Sequence, residues 1–253
     1  MKTALHQPSR GIVTCARPDP ISNRVRIRRA LNAEYDRLAH FHYRAGPPAT
    51  RILTLAAYDI VAREPVGVLV VSMPVLNAPW RDAPWPGRFT GPDKRDNARR
   101  INRALRTISR VIIDPRWRGV GLAKSLVRAY LDAPLTEFTE AIAAMGPCCP
   151  FFGAAGMHEF PVPPSAADAR LRASLETMGI DIWRLADPAH TNAQAFTSTT
   201  LDREIRRWAA ASRRFRARAG EPIEHLLPLA ANVLLSPGRA YASGRALDDG
   251  EHH

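Results

Sequence analysis

Apolar and polar positions change period several times along this chain, and each change marks an element. Arg24 to Arg28 alternates basic with apolar side chains, the signature of a half-exposed strand. A helix follows, with Asn32 placed to cap it, running through Glu34, Leu38 and Phe41 to about Tyr43; Gly46-Pro47-Pro48 stops it. Ile52 to Tyr58 and Val66 to Met73 read as the two strands of a hairpin, although the residues between them are poor turn formers. Pro74 to Arg100 then interrupts the pattern with an insertion rich in Pro, Trp, Gly and Arg. Loops that long inside a compact domain are functional or disordered as a rule, and Trp80, Trp85 and Phe89 argue against disorder.

Periodicity resumes at Ile108 to Ile113, a strand, followed by a glycine turn and a helix from Leu122 to about Leu131. Phe138 to Met145 is a strand, Phe151 to Ala155 a short helix closed by Gly156, and Phe160 to Val162 a last strand. From Ser165 the pattern is helical: Ala167 to Gly179, Leu201 to Ala219 and Ile223 to Leu235. The order β-α-β-β-(insertion)-β-α-β-α-β predicts an α/β (α+β) fold, a mixed central sheet flanked by helices. Residues 1–22 form an irregular lead-in and 23–163 the sheet domain, in which 74–107 is a basic, aromatic insertion. Residues 164–253 form a mainly helical extension with a basic surface.

Composition narrows the class. With 45% apolar residues over 253 positions, wholesale disorder is excluded. No apolar run is long enough to cross a bilayer, and the first 20 residues hold no hydrophobic secretory stretch, so the expected location is cytoplasmic, in a bacterial or phage-infected cell, without a membrane partner. Cys148 and Cys149 are adjacent and Cys15 is distant, which is neither a disulfide framework nor a spaced zinc set. Beside Pro150 that pair reads as buried small-residue packing or as a reactive thiol.

The net charge of +12 favours a polyanionic partner. Arginine-rich codon usage would raise the total equally well, so clustering matters more. One block, Arg88, Lys94, Arg95, Arg99, Arg100, Arg103 and Arg106, crowds the insertion. Another, Arg203, Arg206, Arg207, Arg213, Arg214, Arg216 and Arg218, crowds the helix expected over 201–219. Arg99, Arg100, Arg103, Arg206, Arg207, Arg213 and Arg214 are the candidate phosphate contacts, with Trp80, Trp85 or Phe89 available to stack on a base or to pack on their own core.

The strand-to-helix turn Asp114-Pro115-Arg116-Trp117-Arg118-Gly119-Val120-Gly121-Leu122-Ala123 carries the candidate chemistry. Glycines at 119 and 121 permit a tight turn that aims several N–H groups into one concavity at a helix N-terminus, a site suited to phosphate or pyrophosphate. Arg116 and Arg118 add charge without an adjoining acid. Similar turns occur where no ligand binds. A dinucleotide fingerprint is excluded because its third glycine position, 124, is Lys, and no Walker loop is present.

This turn, with Arg116, Gly119 and Gly121, resembles the acyl-CoA pyrophosphate loop of the GNAT acyltransferase superfamily. The resemblance implies a GNAT-like fold with acetyl-CoA or another acyl-CoA as cofactor. The fourth and fifth strands would splay, with the backbone of Val111, Ile112 and Ile113 receiving the pantetheine arm and N–H groups of Arg118, Gly119, Val120, Gly121, Leu122 and Ala123 the pyrophosphate. Family members carry a Tyr near the end that protonates the departing thiolate. Phe152 stands at that position, so the acid is missing or supplied elsewhere.

Two narrower likenesses follow. Phe41-His42-Tyr43-Arg44, Gly67-Val68 through Met73-Pro74, Ser109 through Pro115 and Pro150 through Met157 resemble a GNAT-like domain also found fused to ABC-type ATPases of unassigned function, over about residues 23–163. His42, Tyr43, Arg110 and Asp114 are also similar to positions of the Mom family of phage DNA-modification proteins. That likeness implies carbamoylmethylation of adenine N6 in DNA, protection from restriction, and an association with iron; the ending around Phe152 to Met157 departs from it. Candidate catalytic residues are His42 as base, Tyr43 as the group polarising the acyl carbonyl, and Ser109, Arg110 and Asp114; Arg110 reads equally as an ion-pair partner of Asp114 or Glu140. The leading expectation is an acyltransferase acting on DNA. Its rivals are an N-acetyltransferase for a protein or small-molecule amine and a non-catalytic nucleic-acid-binding module.

Overall fold

The computed structural model describes residues 23–42, 46–144, 146, 149–187, 199–212 and 214–244. The lead-in 1–22, Tyr43, Cys148 and Arg213 lie outside the described residues. Seven strands form one mixed sheet in the order β1-β2-β3-β4-β5-β7-β6. They are β1 (Val25–Arg29), β2 (Leu53–Asp59), β3 (Glu64–Ser72), β4 (Leu105–Ile113), β5 (Phe138–Ala143), β6 (His158–Pro161) and β7 (Arg239–Gly244). Every neighbouring pair is antiparallel except β4–β5. The expected mixed sheet flanked by helices is what the chain builds.

Two layers cover the sheet. On one face α3 (Leu122–Leu131) lays Leu122, Leu126, Val127 and Tyr130 over Leu69, Val71, Ile108 and Ile113, and Phe152 of α4 (Phe151–Ala154) joins them. The positions i, i+4, i+5 and i+8 form one helical stripe; burying each such side chain contributes about 1.5–3 kcal/mol. On the other face α1 (Asn32–Ala39) packs Tyr35 and Leu38 against Ala56, Val68, Val70 and Ile112. Asn32 opens this helix rather than capping it. The first turn is closed instead by the Glu34 carboxylate, which accepts the Leu31 N–H at 2.8 Å.

The insertion occupies the rest of the α1 face. Trp80, Trp85 and Phe89, with Ile101 of α2 (Lys94–Ala104), bury against Leu105, Phe138, Ala240 and Ala242. Phe138 receives Trp85 and Phe89 at ring-centroid distances of 5.2 and 5.8 Å. These aromatics are core, and stacking on an extruded base is not their role. Arg81 fixes the insertion further: its Nε and Nη2 donate to the two Glu140 oxygens, each at 2.7 Å, and the Thr107 hydroxyl donates to Oε1 at 2.6 Å.

After β6 the chain builds a helical unit with its own core. α5 (Ala166–Thr177), α6 (Thr199–Ala211) and α7 (Ile223–Leu235) bury Leu171, Leu175, Ile205, Trp208, Leu227 and Leu234 together. The Ser165 hydroxyl caps α5, and Asp168 accepts the Trp208 indole N–H at 2.7 Å. Two expectations need correcting. The helix expected to reach Ala219 stops at Ala211, because Phe215 folds back to within 5.1 Å of the Trp208 ring; seven residues of continuous helix would separate them by roughly 10 Å. Nor is the C-terminal part wholly helical. Residues 239–244 return as β7, wedged between β5 and β6, so the helical unit is inserted within the sheet.

Candidate active site

β4 organises the site. Its first residues pair with β5 in parallel, Leu105 with Phe138 through Ile108 with Ala141, and there the pairing stops. β4 continues to Ile113 against β3, and β5 continues to Ala143 against β7, so a gap opens between two strands that both keep their other neighbour. The β4 edge facing this gap over 109–113 keeps backbone groups that no strand partner takes up.

A bulge sits at the same place. Val70 pairs with Arg110 and Val71 with Ile108, leaving Ser109 as the extra residue. Ile108 belongs to the α3-face core and Val111 packs against it, so the two polar residues between them project together toward the α1 face. Arg110 reaches the segment after α1: its Nη1 lies 3.2 Å from His42 Nδ1, and Nη2 donates to Gly46 O at 2.8 Å. Arg110 is buried and is paired with neither Asp114 nor Glu140; Arg81 and Thr107 hold Glu140. The Ser72 hydroxyl donates to Thr50 O, and Ser109 Oγ lies 2.7 Å from Ser72 Oγ. Ser109 Oγ also donates to Val70 O at 3.2 Å, so with the one Ser72 hydrogen committed the single Ser109 hydrogen is held between Val70 O and Ser72 Oγ.

The freed edge leads directly into the glycine turn. Asp114 accepts the Arg116 N–H at 2.9 Å and opens a short 3₁₀ turn over Pro115–Trp117. Gly119 (φ 81°) and Gly121 (φ 84°) both take left-handed conformations that a Cβ would strain. From Gly119 onward the first N–H to find a backbone carbonyl in the chain is Ser125, on Gly121 O at 3.0 Å. Among the described residues no backbone carbonyl takes up the amides of 119–124 where α3 begins, and the partial positive charge of the helix end lies behind them.

Of the two arginines of this turn, Arg116 is not as expected. Arg116 donates from Nε and Nη2 to the Asp114 oxygens at 3.1 and 2.8 Å and reaches Glu64 at 3.2 Å. The Asp114 hydrogen bonds hold Arg116 above the ordinary guanidinium range, and Arg116 holds the Asp114 carboxyl below the ordinary carboxylate range. Asp114 is thus a cap and an ion-pair partner. Arg118 is exposed and its Nε donates to Ile113 O at 3.3 Å.

Phe152 is buried between Phe151 and Tyr241, with centroids 4.5 and 5.1 Å away. Tyr241 of β7 escaped the sequence reading; the alternating run Arg239 to Ser243 was its signal. Its hydroxyl donates to Glu159 at 3.1 Å, and burial, reinforced by that carboxylate, pushes the phenol up to about 12. Its proton is committed, so it does not stand in for the tyrosine missing at 152. Cys149 is exposed just ahead of α4, contrary to the buried packing that was one of its two readings.

Several arginines of the basic blocks are engaged within the chain, although most of the described ones stay exposed. Arg206 donates to Asp202 at 2.9 Å and to Ala219 O and Glu221 O at 3.0 and 2.9 Å, closing the turn after α6. Arg214 lies over Phe215, 4.9 Å from the ring centroid; Arg207 is exposed. On α2, Arg99 pairs with Asp96, and Arg100 bonds Asn97 and Thr90 O; Arg103 is exposed. Among the described residues no group of three or more His, Cys, Asp or Glu side chains could hold a metal, so the iron implied by the Mom likeness lacks a fitting ligand set there. No described helix is long and apolar enough to cross a membrane.

No family model and no curated protein matches this chain. Among solved structures it is similar to the GNAT-family N-acetyltransferase YhbS of Escherichia coli in complex with CoA, at 14% identity and a TM-score of 0.36 over 53% of this chain and 69% of that one. It is also similar to NAA60 of Arabidopsis thaliana in complex with acetyl-CoA, at 14% identity and a TM-score of 0.37 over 53% of this chain and 84% of that one. Likeness at this level leaves activity to be argued from the chain's own residues.

Proposed function

We propose that this chain is a GNAT-type acyl-CoA-dependent acyltransferase whose thioester carrier lies along the freed edge of β4. The observation that carries this reading is the end of β4–β5 pairing at Ile108 and Ala141, with the open edge running into amides at 119–124 that no described backbone carbonyl takes up. An extended pantetheine arm adds hydrogen bonds at Val111 to Ile113 as an added strand does, and the pyrophosphate takes the helix N-terminus. The acceptor amine attacks the thioester carbon, forming C–N; C–S then breaks, CoA leaves as the thiolate, and the proton lost by nitrogen goes to sulfur or water. A thiol with a pKa of about 8.5 leaves without an acid at neutral pH, which accommodates Phe152. Ser109 Oγ, limited to accepting, orients the N–H of the incoming amine, so catalysis rests on alignment.

The test is calorimetric titration of the full chain with acetyl-CoA. Saturable binding is expected, weakened at least tenfold (about 1.4 kcal/mol) in Gly121→Val, whose side chain strains the turn at φ 84°. A folded protein that does not bind acetyl-CoA at millimolar concentration refutes the reading. One feature favours DNA as the acceptor carrier, with adenine N6 as the amine and restriction protection as the outcome. Arg95, Arg99 and Arg103 recur every four residues along exposed α2, immediately before β4. Mass spectrometry of nucleosides from expressing cells tests it; an unaltered adenine profile removes that acceptor.

A further inference from the structure

Helix α2 keeps its charge against its own electrostatics. Its eleven residues carry five basic side chains and one acidic one, and the cap at Asp93 adds a second acid. Lys94 and Arg95 stand in the first turn, where the helix dipole disfavours a cation. Arg95, Arg99 and Arg103 follow one another at intervals of four, so each repels the next along one side. Little inside the chain offsets this. Arg99 pairs with Asp96 at 3.0 Å, but both side chains are exposed and such a pair holds weakly. Arg100 stands apart from the stripe, turned aside to Asn97 and Thr90 O.

The stripe points away from the core. Ile101 is the buried anchor of the helix, and Arg99 lies roughly 200° round the axis from it. From Arg95 to Arg103 the stripe spans about 12 Å, the axial length of roughly three to four nucleotides in one strand. Its surroundings narrow the partner. Among the described residues no large apolar side chain is exposed between Leu76 and Val120. A lipid surface requires an apolar face that enters it, and a protein interface requires an apolar or aromatic centre. Single strands are held by stacking on exposed aromatic rings, whereas Trp80, Trp85 and Phe89 are buried. Regularly spaced charge without such rings fits a duplex backbone, and side chains that reach only phosphate carry no sequence information.

We infer that α2 is a duplex-binding surface, holding successive phosphates of one nucleic-acid strand through Arg95, Arg99 and Arg103 without reading sequence. This deepens the DNA reading above and rests on it for what the bound duplex is for; the binding itself needs no acyl transfer.

The test is fluorescence anisotropy of the full chain with a short labelled duplex, without acetyl-CoA, from about 50 to about 200 mM salt. Micromolar binding is expected at the low end, equal for two unrelated sequences and weaker for either single strand. Each phosphate contact contributes about 0.9 to the slope of log K against log salt, so Arg95→Gln/Arg99→Gln/Arg103→Gln should lower that slope by about 2.7. Lysine at the same three positions keeps the charges and should keep the slope. The glutamine variant should unfold at the same or a higher temperature, because like charges have been removed; a merely structural role for the arginines would lower it. Arg29→Gln/Arg63→Gln/Arg170→Gln removes as much charge off this helix and should leave the slope near that of the wild type.

Three results overturn the inference: no duplex binding at about 100 µM protein in low salt, an undiminished slope in the folded glutamine variant, or an equal loss in the off-helix variant. Tighter binding of the single strand, or preference for one sequence, overturns it as well. Duplex binding as expected, with an unaltered adenine profile in expressing cells, leaves the surface standing and removes adenine as the acceptor.

Discussion

Replacing Arg81 with methionine would leave the Glu140 carboxylate buried beneath the insertion, keeping the Thr107 hydroxyl and losing two charge-assisted hydrogen bonds of 2.7 Å. Both side chains of the pair are 3% exposed, so water cannot replace the guanidinium without opening the insertion. Removing one partner of such a pair costs about 3–5 kcal/mol, because the remaining charge stays desolvated. Glu140→Leu strands the guanidinium in the same way. The double variant Arg81→Met/Glu140→Leu removes both charges from an apolar setting next to Trp80 and Trp85 and should lie close to wild type. Urea unfolding followed by tryptophan fluorescence measures all four proteins. With a denaturant slope near the upper end of the usual range, about 3 kcal/mol/M, each single substitution should lower the midpoint by about 1–2 M. Single losses below about 1 kcal/mol, or a double variant as weak as the sum of the singles, would refute a buried pair that locks the insertion to β5.

The helical unit should be removable. Pro161 at the end of β6 pairs with Arg239 at the start of β7, so a short Asn-Gly hairpin turn replacing residues 163–237 should leave a folded sheet that still binds acetyl-CoA; a product that aggregates or loses the carrier would refute the separateness of the two cores. Tyr241 should titrate late. Its folded pKa, raised by burial and by Glu159 to about 12, lies above that of a free phenol. Its contribution to stability is therefore complete below the ordinary tyrosine range and is lost as the pH rises through about 12. Ultraviolet phenolate absorbance should show this late tyrosine, moved to lower pH in Glu159→Gln; a chain whose tyrosines all titrate together contradicts the burial.

Much of the fold was legible because strand alternation and helical stripes report a single burial face. β4, the glycine turn and α3 stand where the pattern puts them, since β-branched residues end at Asp114-Pro115 and leucines begin at 122. β7 was not legible for a local reason. Its Ala240, Ala242 and Gly244 have poor strand propensity, and these positions are small because Trp80, Trp85 and Phe89 lie over the first two. That requirement comes from a segment more than 140 residues earlier, and the short alternation of Arg239 to Ser243 does not reveal it. The bulge did leave one: Ser109 and Arg110 stand consecutively between Ile108 and Val111, a break of parity inside an alternating strand.

Charge was the most misleading signal, because net charge counts residues and a field depends on where they point. The net charge of +12 is real, yet Arg24 is taken by Asp59, Arg28 by Glu34, Arg81 by Glu140, Arg116 by Asp114 and Glu64, Arg206 by Asp202 and Arg218 by Glu221. Each of these arginines ties together segments or closes a turn, work that a planar group with five donors does better than lysine. The arginine block expected on one long helix is therefore divided by the break after Ala211, and a single phosphate-tracking stripe does not form there. On α2 the periodicity survives, since Arg95, Arg99 and Arg103 stay exposed along one side of a helix that buries Ile101 on another. An acceptor carried by a polyanion would be drawn to that stripe, and from it the chain enters β4 and reaches Ser109 and Arg110 within the next few residues.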